Sequence, residues 1–86
     1  MNYFKIIAWG ECPFCIKAKA LLIEHGFQFE YVIVDHSRDL LNFYKSNYRQ
    51  DTVPIIVYKE GFDEEFIGGY TDLKQYIKEG TGRAFQ

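Results

Sequence analysis

The sequence predicts an α/β fold: a four-stranded mixed sheet flanked by three helices, in the order βαβ-α-ββα. Three observations predict it. Over residues 3–35 an aromatic and β-branched run, a helical run closed by glycine and a second apolar run follow one another, as in a βαβ unit. Two further β-rich runs lie on either side of Gly61, and an amphipathic segment ends the pattern. Finally, 86 residues, 48% of them hydrophobic, can build one core but have no room for a second, so residues 1–86 are read as a single domain.

Each element has its own signal. "YFKIIAW" (residues 3–9) is short, aromatic and β-branched, and Gly10 bounds it, as expected of a buried strand. From Pro13 a run of good helix formers, "PFCIKAKALLIEH", continues to Gly26, with proline in the first turn and glycine where a helix closes. "FQFEYVIVD" (residues 27–35) alternates and then becomes wholly apolar, the expectation for a strand entering a core from both sides. "SRDLLNFYKSN" carries Leu40, Leu41, Phe43 and Tyr44 at helical spacing, with Ser37 or Asp39 as its cap. Residues 53–58 and the "EEFIG" run form a hairpin around Gly61. The last helix, "TDLKQYIKEG", has Thr71 as its expected N-cap, Leu73, Tyr76 and Ile77 as its apolar stripe, and Gly80 as its expected stop. The first two strands pair in parallel through a right-handed crossover.

Composition excludes several functions. With eight Phe, seven Tyr and 19% aromatic residues the chain is no disordered tail. Its formal net charge is -2, with both signs scattered and no basic run, so neither nucleic acid nor an anionic membrane is an expected partner. The opening "MNYFKIIAWGEC" lacks a basic start and a small-residue cleavage site, and no apolar run is long enough to span a bilayer. A cytoplasmic location is the expectation. In that reducing compartment a permanent disulfide is disfavoured, so Cys12 and Cys15 point to redox chemistry or to metal.

The pair sits in "WGECPFC", where a loop leaves the first strand and enters a helix, the end at which open α/β sheets place ligands. A helix N-terminus favours the thiolate, and in Cys-X-X-Cys settings the thiol pKa falls from ~8.5 to roughly 3.5–7.5. Cys12 is therefore the expected nucleophile, and Cys15, three residues on and inside the helix, the buried thiol that displaces a mixed disulfide. Pro13 removes one backbone donor and stiffens the first turn. Phe14 is a surface aromatic suited to lie against a substrate. A zinc site would need two more ligands, and only His25 and His36 are offered, both more simply surface residues. No metal is expected.

Two further stretches bear on the reading. "DTVPIIV" places Pro54 at the start of a β-rich run, where a cis Val53–Pro54 bond would expose the preceding backbone; the plain alternative is a proline at an edge-strand start. "IGGYTDL" sets Gly68 and Gly69, compatible with close backbone approach, before a helix start bearing Thr71 and Asp72; the plain alternative is an ordinary turn and cap. In that order over nearly the whole chain, "CPFC", "TVP" and "GGYTDL" resemble the glutaredoxin family. The resemblance implies a thioredoxin-like fold and glutathione-dependent reduction of protein disulfides and glutathionylated proteins, with glutathione as cosubstrate and no tightly bound cofactor. It implies that Cys12 accepts glutathione and Cys15 resolves, that Val53 beside Pro54 pairs with the cysteinyl part, and that Thr71 and Asp72 hold the γ-glutamyl end. Gly69, Tyr70 and Phe14 complete the glutathione site. A monomer is expected.

The chain departs from the family pattern at Trp9, where many relatives have Lys or Arg, and by placing Glu11 before Cys12 and Asp51 before the Thr-Val-Pro triplet. The glycyl carboxylate of glutathione then needs another cation, for which Arg49 and Lys17 are the candidates. The two acids could raise the Cys12 pKa or favour basic protein partners. Two rival functions stand beside this one: a thioredoxin-like electron donor to ribonucleotide reductase, and an iron–sulfur carrier. Pro13 argues against the carrier, because cluster-carrying relatives usually have a Gly-Phe-Ser run after the first cysteine.

Overall fold

The computed structural model describes the backbone of residues 2–84 and the side chains of residues 2–79. Its elements are β1 (Asn2–Ala8), α1 (Pro13–Glu24), β2 (Phe29–Ile33), α2 (Arg38–Tyr48), β3 (Ile55–Glu60), β4 (Asp63–Gly68) and α3 (Tyr70–Ala84). The expected α/β class and element order hold. In the sheet the strands lie in the order β2-β1-β3-β4, with β1 parallel to β2 and antiparallel to β3, and β3 antiparallel to β4.

Strand alternation sends successive side chains to opposite faces, so β1 builds two cores at once. Phe4, Ile6 and Ala8 join Cys12, Cys15, Ala18 and Leu22 from the α1 segment and Leu73 and Ile77 of α3. Ile7 instead joins Val34 and Ile55 beneath Leu40, Leu41, Tyr44 and Tyr48, on the α2 side. Ile55, Ile56 and Val57 of β3 are fully buried, as strands of the sheet centre should be.

The helix ends explain where the loops go. Both α1 and α2 close in Schellman motifs: Gly26 and Phe27 donate their N–H groups to Ile23 and Leu22, and Arg49 and Gln50 donate theirs to Ser46 and Lys45. Gly26 has φ +74, which glycine adopts freely, whereas Arg49 takes the same left-handed conformation (φ +54) with a full side chain. Ser37 caps α2, its Oγ accepting from the Leu40 amide at 3.2 Å. The hairpin turns through Gly61 and Phe62, with Gly61 at φ +62 in the first central position of a two-residue turn.

Three expectations need correction. The second strand does not run through residues 27–35 into a two-sided core; β2 is a five-residue edge strand with Ile33 exposed, because β1 and β3 take the sheet centre. Thr71 is not the cap of α3, which begins at Tyr70. Nor does Gly80 stop that helix, which continues to Ala84; glycine lowers helix propensity by about 1 kcal/mol but leaves helical dihedrals open.

Replacing the α2 cap, Ser37→Ala, leaves the Leu40 amide without its acceptor. An unfolding free energy lower by about 1 kcal/mol is expected in urea denaturation, with an unchanged m-value.

Candidate active site

Cys12 is the N-cap residue of α1. It has extended dihedrals (φ −117, ψ 112), its carbonyl accepts from Ile16 at 3.0 Å, and its Sγ accepts the Cys15 amide hydrogen at 3.2 Å. A sulfur thus takes the place usually held by a Ser, Thr, Asp or Asn oxygen, at the positive end of a helix. Pro13 at the first helical position has no N–H to leave unpaired and fixes the direction of the turn.

Both cysteines are free thiols, yet their surroundings differ. Cys12 retains 7% exposure and Cys15 none. Burial, the hydrogen bond to Cys12 and charge at Cys12 push the Cys15 thiol up to about 12, against the pull of a main-chain hydrogen bond at Trp9. Cys15 therefore holds its proton at neutral pH. Once Cys12 is tied up in a disulfide, its charge is gone and its hold on that proton weakens, so burial remains the chief obstacle to forming the second thiolate.

The loop before Cys12 is anchored to the neighbouring parallel strand, because the Gly10 amide donates to Asp35 Oδ2 at 3.3 Å, just beyond the end of β2. Around the sulfur the structure assembles three groups. Val53 packs against the buried cluster that contains Cys12 and Cys15. Phe14 is 54% exposed, its ring lies 6.1 Å from that of Tyr70, and Lys17 Nζ sits 5.2 Å over its face. Pro54 adjoins the two glycines: a Cβ on Gly69 would stand 3.9 Å from the Pro54 carbonyl oxygen. The Val53–Pro54 bond is cis, as the sequence led us to expect.

Gly68, Gly69 and Asp72 form one device. Asp72 Oδ2 accepts from the Gly69 amide at 2.9 Å, the return contact of a capping box, and this replaces the expected Thr71 cap. Gly68 has φ +122, and any Cβ there would collide with the Asp72 carboxylate, so the sequence needs glycine at that point. The helix start beside Pro54 is held open and carries one carboxylate. Thr71 lines a groove of about 510 Å³ between α1 and α3, with Leu21, Lys74 and Gln75 among its walls.

Of the two proposed cations, Lys17 stands over Phe14, whereas no contact among the described residues joins Arg49 to the cysteine loop. The structure adds a third: Lys45, in the last turn of α2, places Nζ 5.9 Å from the centre of the Trp9 ring, which is 41% exposed. It also adds Gln50, whose Nε2 donates to the Thr52 and Pro54 carbonyls at 2.9 and 2.8 Å. Neither residue carries a sequence signal, because both act across the fold from the closed end of α2. Among the described residues no three or more His, Cys, Asp or Glu side chains gather where they could hold a metal ion, and no helix is long and apolar enough to cross a membrane.

The raised Cys15 thiol gives a pH signature. Below the ordinary thiol value of 9.0 both states are protonated and the full stabilisation is present; between 9.0 and about 12 the unfolded chain loses this proton while the native one keeps it, so stability falls as pH rises. Tyr31, Tyr48 and Tyr76 are also shifted upward and act in the same direction; Cys15 is no cause of the Tyr48 and Tyr76 shifts, so the difference from Cys15→Ala reports the thiol together with its charge coupling to Tyr31. The stability advantage of reduced wild type over Cys15→Ala should shrink above pH 9 by up to about 1.4 kcal/mol per pH unit, as read by urea denaturation. A constant difference would show that Cys15 titrates alike in both states.

Comparison with known proteins agrees with this geometry. Residues 4–67 match the family model for glutaredoxin. Glutaredoxin 1 of Rickettsia prowazekii is 35% identical over 77 residues, covering 87% of this chain and 77% of that protein. The hybrid peroxiredoxin hyPrx5 of Haemophilus influenzae is 37% identical over 66 residues, 77% of this chain, but the chain spans only 25% of that protein's length. Among solved structures, glutaredoxin 1 from Francisella tularensis superposes with a TM-score of 0.78 at 27% identity, over 96% of this chain and 100% of that one. A buckwheat glutaredoxin–glutathione complex shares the fold, with a TM-score of 0.73 at 21% identity over 92% of this chain and 71% of that one. A thioredoxin-like sheet, a paired-cysteine helix start and this match over most of its length establish that the chain belongs to the glutaredoxin family of thiol–disulfide oxidoreductases.

Proposed function

We propose that the chain is a dithiol glutaredoxin that uses glutathione to reduce glutathionylated proteins and protein disulfides. The observation that carries this reading is the division of labour between a helix-capping Cys12 that keeps 7% exposure and a fully buried Cys15 that keeps its proton. With a glutathionylated protein, Cys12 thiolate attacks the glutathione sulfur; a Cys12–glutathione disulfide forms and the protein leaves as thiolate, which takes up a proton. A second glutathione thiolate then attacks the glutathione sulfur of that adduct, releasing oxidised glutathione and returning Cys12. With a protein disulfide, Cys15 loses its proton and attacks Cys12 in the mixed disulfide; the substrate leaves reduced, and two glutathione molecules reduce the Cys12–Cys15 disulfide.

The residues around the sulfur fit this ligand. Val53 offers backbone groups beside Pro54, Asp72 sits at the α3 start facing the γ-glutamyl end, and Gly69, Tyr70, Thr71 and Phe14 line the approach. Lys45, Lys17 and Arg49 are the sources of positive charge for the glycyl carboxylate. Lys45 is the favoured one, since it lies across Trp9, the residue that stands where many relatives carry the cation. Ribonucleotide reductase remains a candidate protein substrate.

Steady-state reduction of a glutathionylated peptide, with NADPH and glutathione reductase supplying electrons, tests the reading. Turnover is expected in wild type and in Cys15→Ser and none in Cys12→Ser, because only the first sulfur forms the adduct. Activity supported by thioredoxin reductase and not by glutathione would transfer the chain to the rival electron-donor role. In the same assay Lys45→Gln should raise the apparent KM about threefold with kcat little changed, the size expected of a solvent-screened ion pair worth under ~1 kcal/mol. A larger rise in Lys17→Gln or Arg49→Gln would reassign the carboxylate contact.

A further inference from the structure

We infer that Gln50 is a positioning residue, a side-chain clamp that aims the Val53 main chain at the ligand; in naming that ligand as glutathione the inference rests on the proposed function. Gln50 Nε2 lies 2.9 Å from the Thr52 carbonyl oxygen and 2.8 Å from that of Pro54. Two acceptors at that range occupy both hydrogens of the amide, and leave its oxygen as an acceptor only. Gln50 is thus committed to the loop and has no donor left for a ligand carboxylate.

The carbonyls it gathers belong to the residues on either side of Val53. With Thr52 and Pro54 drawn to one atom, the Val53 N–H and C=O are left unengaged: neither makes a hydrogen bond among the described residues. Unpaired backbone on a half-buried residue is costly unless something else binds it. An extended peptide running alongside Val53 would supply one acceptor and one donor in the manner of an added strand.

The clamp is itself anchored. Gln50 donates its own amide to the Lys45 carbonyl at 3.0 Å, the long bond of the Schellman motif that closes α2, so the side chain starts from a fixed point. Arg49, held at φ +54, makes that reversal possible. The same helix end that lays Lys45 across Trp9 therefore reaches the other wall of the site through Gln50.

The test uses Gln50→Met, which keeps the length and loses both donors, and Gln50→Glu, which turns an acceptor towards two carbonyls. Ser37→Ala serves as a control for general weakening of α2. Both Gln50 variants should raise the apparent KM for a glutathionylated peptide about tenfold with kcat nearly unchanged, and should shift the Val53 amide resonance; Ser37→Ala should do neither. A disulfide-bonded peptide reduced with dithiothreitol is assayed in parallel, since its main chain uses Val53 but its reductant needs no glutathione site. Its KM should rise as well. If wild type turns over only with dithiothreitol, the glutathione reading fails while the clamp is still judged by this second KM. Unchanged KM for both substrates, or a rise matched by Ser37→Ala, overturns the clamp.

Discussion

One contact organises the molecule: the Cys15 amide hydrogen directed at Cys12 Sγ, 3.2 Å away, across the first turn of α1. It is a helix cap and the centre of the proposed active site in the same two residues. A capping oxygen would satisfy the amide equally well, so the sulfur is there for its chemistry, and the cap sets where it stands. The same turn sends Cys15 into the core under β1, where burial holds its proton. The surroundings differ between two thiols three residues apart because one caps the helix and the other packs beneath it.

The rest of the fold delivers backbone to that sulfur from separate places in the chain. β1 and β3 form the sheet centre as an antiparallel pair, so the end of β1 lies beside the start of β3, which brings the Val53–Pro54 segment beside the Cys12 loop. β4 returns next to β3 and feeds through Gly68 and Gly69 into α3. There Asp72 closes back on Gly69, a geometry that only glycine at position 68 permits. α2 packs on the opposite face of the sheet, yet its C-terminal end reaches the site through Lys45 and Gln50. Loops that could have moved independently are tied to one another by short side-chain bonds.

Local signals made the architecture legible. Strand runs, Gly26, Gly61 and Ser37 each act on their own neighbours, so reading them in order yields the correct element sequence. Where tertiary context decides, the sequence misleads. The apolar run of β2 looks like a central strand, although its neighbour on one side is absent; Val34, the residue that is buried, lies past the strand end. Thr71 looks like a cap because threonine commonly is one, but Asp72 reaches back instead. Cys12, Cys15, Val53, Pro54 and Asp72 were readable as motif residues. Lys45 and Gln50 were not, since nothing in "YKSNYRQD" reveals which side chains will cross to another element.

The division of labour between the two sulfurs can be read directly by mass. Reduced Cys15→Ser protein is mixed with a glutathionylated peptide at neutral pH, quenched with acid and examined intact and after digestion. A single glutathionyl group on Cys12, with the peptide released as free thiol, is the expected result, because the capping sulfur attacks the glutathione sulfur and nothing remains to displace it. An unmodified protein, or a stable adduct of Cys12 with the peptide in place of glutathione, would contradict it.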